Sequence, residues 1–342
     1  MEPPLDLASC RITEFPNFLK SSKKLEWLDL SNNRIYSKIL KLMFEIEENL
    51  SYLNPSCNFL SSIERHPWTN LWYLNLCTNL QQGKFPIPRS SVEVLYFSKN
   101  NFVGNIRSMI CNIVLNRVLD ISHNSLGGTL SRCLGYFSAS LLVMDLRMNN
   151  FQSTILDIFV NDNSLKTLAF NGNQLEGLLP KSLVNYTELE VLDLGNNKVK
   201  DFFPYGLEAL PNLKVLVLKS NKFHGPIGNR KTTGIFFSML QILDLSYNEF
   251  TGLLPIDFFE NLNAMMIQDK GKDEPTYLSE KEPFNYYNDS VELTMKGLDI
   301  KLQRILTIFT IIDLSSNKFE GEIPKLLQGF NFFDYSTSRI TN

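Results

Sequence analysis

One pattern recurs along the chain, and its clearest copy reads Leu189-Glu-Val-Leu192-Asp-Leu194-Gly-Asn-Asn197. Near its centre the leucines alternate with other residues, which is the period of a short strand with one buried face. The closing asparagine returns after 24 or 25 residues in the best copies, at Asn124, Asn149, Asn173, Asn197 and Asn221. A period of about 20–29 residues with this spacing predicts stacked coils that each contribute one strand.

The asparagine position can be followed through about twelve copies. It is occupied in turn by Cys10, Asn33, Asn58, Asn79, Asn100, Asn124, Asn149, Asn173, Asn197, Asn221, Asn248 and Asn317. Stacked copies place their strands side by side, so we predict an α/β solenoid, a leucine-rich-repeat horseshoe with a parallel concave β-sheet. We interpret the asparagines as structural, because their amides can pair with backbone groups that would otherwise be buried without partners.

The largest break in the period lies between Asn248 and Asn317, 69 residues apart where about 24 are expected. The extra segment is polar and has no repeat register, although part of its second half alternates like a strand. Loops of this length are usually functional or disordered, so a docking role and a passive insertion both remain open. The sequence therefore divides into residues 1–260 with about eleven repeats, an island insertion at 261–308, one further repeat at 309–324, and a non-repeat tail at 325–342.

Composition argues against several classes of function. With 33 basic and 36 acidic residues the net charge is −3, so we expect no nucleic-acid partner, because nucleic-acid binders usually carry a concentrated basic face. The sequence contains no run of 18 or more apolar residues, so it predicts no membrane span. We expect neither an enzyme nor a cofactor, because His66, His123 and His224 fall in different copies and no phosphate-binding or His-Glu-x-x-His motif occurs.

Candidate ligand-binding residues follow from strand alternation. Side chains that flank the buried leucines face the concave surface, where aspartate recurs as part of the repeat. Aromatic and cationic residues on this surface are better candidates for ligand binding than the recurring aspartates, because tyrosine and arginine are frequent binding anchors. On the sheet surface that we expect to be exposed, the aromatic and cationic candidates are Tyr73, Tyr96, Lys99, Arg147, Lys219 and Tyr247.

Secretion is suggested by two kinds of residue. Asn49, Asn185 and Asn288 each begin an Asn-x-Ser/Thr tripeptide, the acceptor pattern for N-glycosylation. Cys111 and Cys133 lie 11 and 9 residues after the asparagines of consecutive copies, so both should occupy similar places on adjacent coils. We hypothesise a disulfide between them, and two ordinary buried thiols are the alternative.

The insertion and the copy after it resemble a plant family. The residues that carry the likeness are Tyr286-Tyr287-x-x-Ser290-Val291-x-x-Thr294-x-Lys296-Gly297-Leu298 and then Ile312-Asp313-Leu314-Ser315-Ser316-Asn317. They are similar to receptor-like proteins of the Cf resistance type, and the resemblance extends over residues 5–324. Cys111 and Cys133 also match paired positions of that family.

The resemblance implies a receptor on the extracellular side of the plasma membrane, with a solenoid, an island, one membrane span and a short tail without a kinase. Such receptors bind a peptide, protein or glycan ligand and act through receptor-like kinase co-receptors in defence or development. Tyr286, Tyr287 and Lys296 then become candidates for docking at the island.

Two alternatives remain beside this reading. The chain begins in the middle of a repeat, without a cap or a signal peptide, and the pattern is lost after Pro324. We therefore expect a piece of a longer protein, truncated at both ends, or a truncated or pseudogene-derived product without independent signalling. A secreted solenoid similar to plant polygalacturonase inhibitors is the other alternative, against which the long insertion argues.

Overall fold

The computed structural model describes residues 3–36, 49–62, 70–85, 92–106, 117–132, 140–157, 164–228, 237–266, 276–278, 287–295, 298–325, 327 and 333–334. The chain forms two compact units, residues 1–152 and 153–342. Each unit is a solenoid built on a parallel sheet, as the repeat period predicts.

The first unit has eleven strands within its described residues. They are β1 Leu5–Asp6, β2 Trp27–Asp29, β3 Tyr52–Asn54, β4 Tyr73–Asn75, β5 Gln82–Lys84, β6 Val94–Tyr96, β7 Asn101–Asn105, β8 Val118–Asp120, β9 Ser125–Thr129, β10 Val143–Asp145 and β11 Asn150–Thr154. The main parallel sheet runs in the order β1-β2-β3-β4-β6-β8-β10, and β5-β7-β9-β11 form a second sheet on the side of the coils. One 3-10 helix spans Asn17–Ser21.

The second unit continues in the same style. Its strands are β12 Thr167–Ala169, β13 Gln174–Gly177, β14 Val191–Asp193, β15 Lys198–Val199, β16 Val215–Val217, β17 His224–Pro226, β18 Ile242–Asp244, β19 Glu249–Leu253, β20 Val291–Met295, β21 Leu298–Leu302, β22 Ile311–Asp313, β23 Lys318–Glu320 and β24 Phe333–Asp334. The main sheet runs β12-β14-β16-β18-β22-β24. Within the described residues of this unit, the helices are two 3-10 helices, Lys181–Asn185 and Tyr205–Ala209, then α1 Ile256–Glu260 and α2 Asn263–Met266.

The repeated asparagines hold adjacent coils together. Asn149 donates from Nδ2 to the carbonyls of Ile121, Leu146 and Arg147 at 3.0, 3.2 and 3.1 Å. Its Oδ1 accepts from the amide of Leu126 at 3.0 Å. Both Ile121 and Leu126 belong to the preceding coil. The structural interpretation of the asparagines is confirmed, since each bond pairs a backbone group that the stack would otherwise bury alone.

The insertion leaves the stack without interrupting it. Strands β18 and β22 pair directly, with Ile242 opposite Ile311 and Asp244 opposite Asp313. Asn317 then donates to the carbonyl of Leu245 at 2.9 Å, across the whole insertion. Within the inserted segment, strands β20 and β21 form an antiparallel hairpin. The copy that contains β22 therefore continues the second unit's sheet in regular register.

Candidate functional site

The insertion folds back over the concave face of the second unit. We call its described residues 276–278, 287–295 and 298–309 the cover. Val291 and Leu293 of strand β20 are fully buried against the sheet, together with Leu278 and Ile305. The sheet side of this apolar cluster consists of Val191, Val215, Val217, Ile242 and Ile311. At about 25 cal/mol per Å² of apolar surface, burying such side chains is a substantial driving force for docking.

Three polar contacts fix the cover in place. Thr167 on strand β12 donates from its hydroxyl to the Asp289 carboxylate at 2.6 Å. The Gln241 amide donates to the carbonyl of Thr307 at 2.6 Å. The Lys219 ammonium donates to the Thr294 hydroxyl at 3.4 Å. These bonds define one orientation of the cover, which apolar burial alone would not do.

Lys219 is therefore not on an exposed surface. The expectation that it faces solvent is wrong, since only 4% of it is exposed beneath the cover. The sequence held a signal that was missed: Val191, Val215, Val217 and Ile242 occupy positions that an open concave face would present to water. Neighbouring β-branched apolar residues in such a column indicate that something packs on them.

A row of aromatic rings lines the concave face of the first unit. Trp27 stacks on Tyr52 with ring centroids 3.4 Å apart and planes within 1°, and Tyr52 stacks on Tyr73 at 4.3 Å. Tyr96 continues the row, tilted, at 6.1 Å from Tyr73. The strand register brings the first three rings side by side, because Trp27 lies opposite Tyr52 and Tyr52 opposite Tyr73.

Stacking changes how much of these rings is accessible. Tyr73 and Tyr96 were expected to be exposed, which is wrong, since they are 7% and 8% exposed. The Tyr73 ring is stacked on Tyr52 and lies beside the tilted Tyr96 ring, so its neighbours in adjacent coils cover part of its surface. Trp27, at the end of the row, is 37% exposed and was missed, although its alignment with Tyr52 and Tyr73 could be read from the repeat.

Polar groups surround this aromatic row. Burial raises the pKa of Tyr73 to about 12, so its hydroxyl stays protonated at physiological pH and can donate a hydrogen bond. The Asp29 carboxylate accepts from the Asn54 amide at 2.8 Å and from the Ser31 backbone amide at 2.7 Å. The row therefore offers a partner both apolar edges and hydrogen-bonding groups.

Arg147 is paired and largely buried, with 11% of its side chain exposed, so the expectation that it lies on an exposed surface is wrong. Its Nη2 lies 2.6 Å from Oδ2 of Asp145, and its Nε also donates to that carboxylate. Asp145 is almost fully buried, so the guanidinium compensates a charge that would otherwise be costly in this place. This contact gives Arg147 a structural task in addition to any role toward a ligand.

Lys99 and Tyr247 are the candidates that remain open to solvent. Each directly precedes a repeat asparagine and has a φ of 53°, in the left-handed region that ordinary side chains rarely adopt. Tyr247 is 48% exposed. Their backbone conformation places them at the point where the chain leaves the main sheet.

Some of the predicted residues lie outside the part of the chain that the structure describes. Cys111, Cys133, Tyr286 and Lys296 lie outside the described residues, so the disulfide stays a hypothesis. Tyr287 is half-buried within the cover. The three glycosylation candidates are at least partly exposed, and these sites stay predictions: Asn49, Asn185 and Asn288.

Among the described residues, no group of three or more His, Cys, Asp or Glu side chains could hold a metal ion. No helix in the described ranges is long and apolar enough to cross a membrane.

Comparison with known proteins agrees with this architecture. The family model described as Leucine rich repeat matches residues 163–223, and the one described as Leucine Rich Repeat matches residues 24–45, 239–261 and 309–330. Receptor-like protein 35 of Arabidopsis thaliana is 39% identical over 324 residues, which cover 94% of this chain and 32% of the relative. The chain belongs to the plant leucine-rich-repeat receptor-like proteins. This receptor-like protein thus spans about a third of the length of the first curated relatives that it matches.

Solved structures share the fold of this receptor-like protein. One is the ectodomain of the Arabidopsis thaliana receptor kinase GASSHO1/SCHENGEN3 in complex with CASPARIAN STRIP INTEGRITY FACTOR 2. The two folds match with a TM-score of 0.73 at 23% sequence identity, and the match covers 98% of this chain and 35% of that chain. Another is the Arabidopsis receptor kinase HAESA in complex with the peptide hormone IDA and the co-receptor SERK1. This match has a TM-score of 0.56 at 19% sequence identity, and it covers 98% of this chain and 61% of that chain. At these identities the likeness concerns the fold alone.

Proposed function

We propose that this chain is the ligand-recognition region of a plant cell-surface receptor, and that the ligand contacts the concave face of the first unit. The observation that carries this proposal is the contrast between the two faces. The first unit presents the aromatic row that begins at Trp27, whereas the concave face of the second unit is already occupied by the cover. Exposed tryptophan beside tyrosine hydroxyls is typical of binding hot spots.

A peptide in an extended conformation fits this face better than a glycan. Sugar rings stack on open aromatic faces, but the faces of Tyr52 and Tyr73 are covered by neighbouring rings. The half-buried Asn75 amide donates to the Tyr73 hydroxyl at 3.4 Å, and its Nδ2 carries a second hydrogen that can pair with a peptide backbone. Two related folds crystallised with a peptide hormone or a named integrity factor support the same choice.

Signalling belongs to the whole receptor. Its action through partner receptor-like kinases, in defence or development, rests on the family resemblance and on the co-receptor present in the HAESA structure. Tyr287, within the cover, and Tyr247, on the exposed edge of the second unit, are the described residues that we assign to secondary contacts with ligand or partner.

The ligand site can be tested with peptides selected from a random displayed library against the secreted, folded chain. Trp27→Ala is expected to weaken the selected peptides at least about tenfold, because a central aromatic anchor typically contributes more than about 1 kcal/mol. Phe18→Ala is the matched control, an exposed aromatic residue of the same unit in the 3-10 helix Asn17–Ser21. Equal affinities for the wild type and the Trp27 variant would contradict the proposal.

Arg147→Ala is a poor test of the same site. Removing the guanidinium leaves the buried Asp145 carboxylate without its main counter-charge, so lost binding would be confounded with lost stability. Lys99→Ala is cleaner, since Lys99 is exposed and lies beyond the strand that ends in Tyr96. We expect a smaller loss of affinity for it, of roughly twofold to fivefold, as befits a charge at the rim of a site.

A further inference from the structure

We propose that Cys57 and Cys77 form a redox-active thiol pair, which a small-molecule disulfide such as glutathione disulfide oxidises to an intramolecular bridge. Both residues follow strands of the first unit's main sheet. Cys57 comes three residues after the end of strand β3, and Cys77 two residues after the end of strand β4. The proposal concerns thiol chemistry where the chain leaves the sheet, and it does not depend on ligand recognition.

The backbone brings the two cysteines together on neighbouring coils. The register of β3 and β4 places Leu53 opposite Leu74. The pairing continues beyond the strands, since the amide of Cys57 donates to the carbonyl of Cys77 at 3.0 Å. Strands that pair in this way lie about 4.7–4.9 Å apart, and a disulfide needs Cα atoms roughly 4.4–6.8 Å apart. The coils therefore hold the pair at the separation that a bridge requires.

The repeat itself does not require cysteine at either position. Counted from the repeat asparagine, the position of Cys57 is occupied by Thr78 in the next coil, and the position of Cys77 by Ser56 in the preceding coil. Two polar residues are thus replaced by cysteine on adjacent coils, where the stack brings them into contact.

The side chains of the pair are within reach of each other and of solvent. The Cys57 sulfur hydrogen-bonds to the Cys77 thiol and to the hydroxyls of Ser56 and Thr78. Cys57 is exposed and Cys77 is half-buried. A small disulfide in solution can therefore approach Cys57 directly, while Cys77 remains beside it as a second thiol.

The surroundings favour the thiolate at Cys57 rather than at Cys77. The Cys77 thiol donates to the Cys57 sulfur and holds the pKa of Cys57 below its usual range, against the opposing effect of burial, and Lys99 adds a positive charge. The same contact, and then burial, raise the pKa of Cys77, and the Asp120 carboxylate adds to that rise. The thiolate is the nucleophile in disulfide exchange. Cys57 is therefore the attacking sulfur and Cys77 the resolving one.

The exchange takes two steps. In the first, the Cys57 thiolate attacks one sulfur of the small disulfide, whose S–S bond breaks as a mixed disulfide forms and a small thiolate leaves. That thiolate takes the proton of the Cys77 thiol. In the second step, the Cys77 thiolate attacks the Cys57 sulfur and displaces the second small thiolate, which takes a proton from water. The two cysteines together lose two electrons, and the small disulfide is reduced to two thiols.

The test uses the full, secreted chain, reduced with dithiothreitol, freed of it and exposed to glutathione disulfide at neutral pH. The reaction is stopped with acid, and the remaining thiols are alkylated before trypsin digestion and mass spectrometry. Cleavage after Arg65 places Cys57 on peptide 42–65 and Cys77 on peptide 66–84, so the bridge appears as two linked peptides. We expect this linked pair. The proposal is overturned if both cysteines stay reduced, carry separate glutathiones, or link to Cys111 or Cys133 instead.

Single variants distinguish the attacking thiol from the resolving one. Cys77→Ser should trap glutathione on Cys57, because the resolving thiol is gone while a serine hydroxyl can still donate to the Cys57 sulfur. Cys57→Ala leaves the half-buried Cys77, which should take up glutathione at least about tenfold more slowly than Cys57 does in Cys77→Ser. Equal rates would overturn the assignment of Cys57 as the attacking sulfur.

Cys10→Ser is the matched control for the loss of a thiol. Cys10 is an exposed cysteine of the same unit, and its thiol donates to the carbonyl of Ala8 at 3.4 Å. This variant should form the bridge between Cys57 and Cys77 at the wild-type rate. A bridge that disappears in Cys10→Ser would show that Cys10 carries the exchange, which contradicts the proposal.

Discussion

At the level of single residues, the repeat asparagines show how one side chain can replace several backbone partners. Asn149 satisfies three carbonyls and one amide from two coils while remaining almost completely buried. A shorter side chain would leave these groups without partners in a place that water does not reach. The cost of each such loss is about 1–3 kcal/mol.

Asn149→Ala is accordingly expected to lower the free energy of unfolding by at least about 2 kcal/mol, as measured by urea denaturation. Its control is Asn150→Ala, at the next position, where the side chain is exposed. A similar small loss in both variants would show that the asparagine bonds contribute little to the stack.

Two arginines allow the burial of a charge to be compared within one unit. Arg147→Ala should cost about 3 kcal/mol of stability, because it removes the guanidinium that pairs with the buried Asp145 carboxylate. Arg117 pairs with Glu93 at 3.2 Å, but both side chains are about 40% exposed, so Arg117→Ala should cost less than about 1 kcal/mol. Thermal unfolding of the two variants measures the difference, and equal losses would contradict the assignment of Arg147.

At the level of elements, the hairpin β20–β21 has one docked strand and one outer strand. Leu293 on β20 is buried against the sheet, whereas its register partner Ile300 on β21 is exposed. Leu293→Ala should therefore destabilise the second unit by about 2–4 kcal/mol in chemical denaturation. Ile300→Ala is the matched control and should cost less than about 1 kcal/mol. Comparable effects would mean that the hairpin does not dock through Leu293.

The cover also shows where prediction from sequence stops. The strands, the asparagine bonds and the break between Asn248 and Asn317 all follow from a repeat period, which is a local property. The inserted segment packs on a surface that is chosen by long-range contacts, and the repeat period carries no information about those contacts. The valines at 191 and 215 indicated that a cover exists, but nothing local identified Val291 and Leu293 as its inner face.

The aromatic row illustrates a different failure of prediction. Tyr73 and Tyr96 were placed on the correct face, yet strand alternation says nothing about whether neighbouring rings stack. Aromatic side chains one coil apart are close enough to cover each other, so facing solvent and being accessible are not the same. The exposed end of the row, Trp27, therefore becomes the stronger candidate.

At the level of the whole molecule, the insertion should be removable without loss of the solenoid. A variant in which a flexible linker joins Met266 to Phe309 is expected to keep the β18–β22 pairing, since those strands already contact each other directly. The uncovered valines would create an apolar patch, so the variant should bind a hydrophobic dye and tend to associate.

Replacing Val215 and Val217 by threonine in the linker variant should reduce the dye binding while the circular dichroism spectrum is unchanged. Loss of the β-sheet signal on removal of the insertion would instead show that the cover is needed to hold the stack together. The same two threonine substitutions in the complete chain provide the control, and in that chain they should weaken the packing of the cover on the sheet.

The direct pairing of β18 with β22 has a consequence for biosynthesis. At about 5–20 residues per second, the ribosome needs on the order of 3–14 s to produce the residues between Asn248 and Asn317. During that interval the edge of β18 has no neighbour on its far side, and the apolar column of Val191, Val215 and Ile242 has no cover. The nascent chain thus exposes an unpaired strand edge beside a hydrophobic surface, the combination that molecular chaperones recognise.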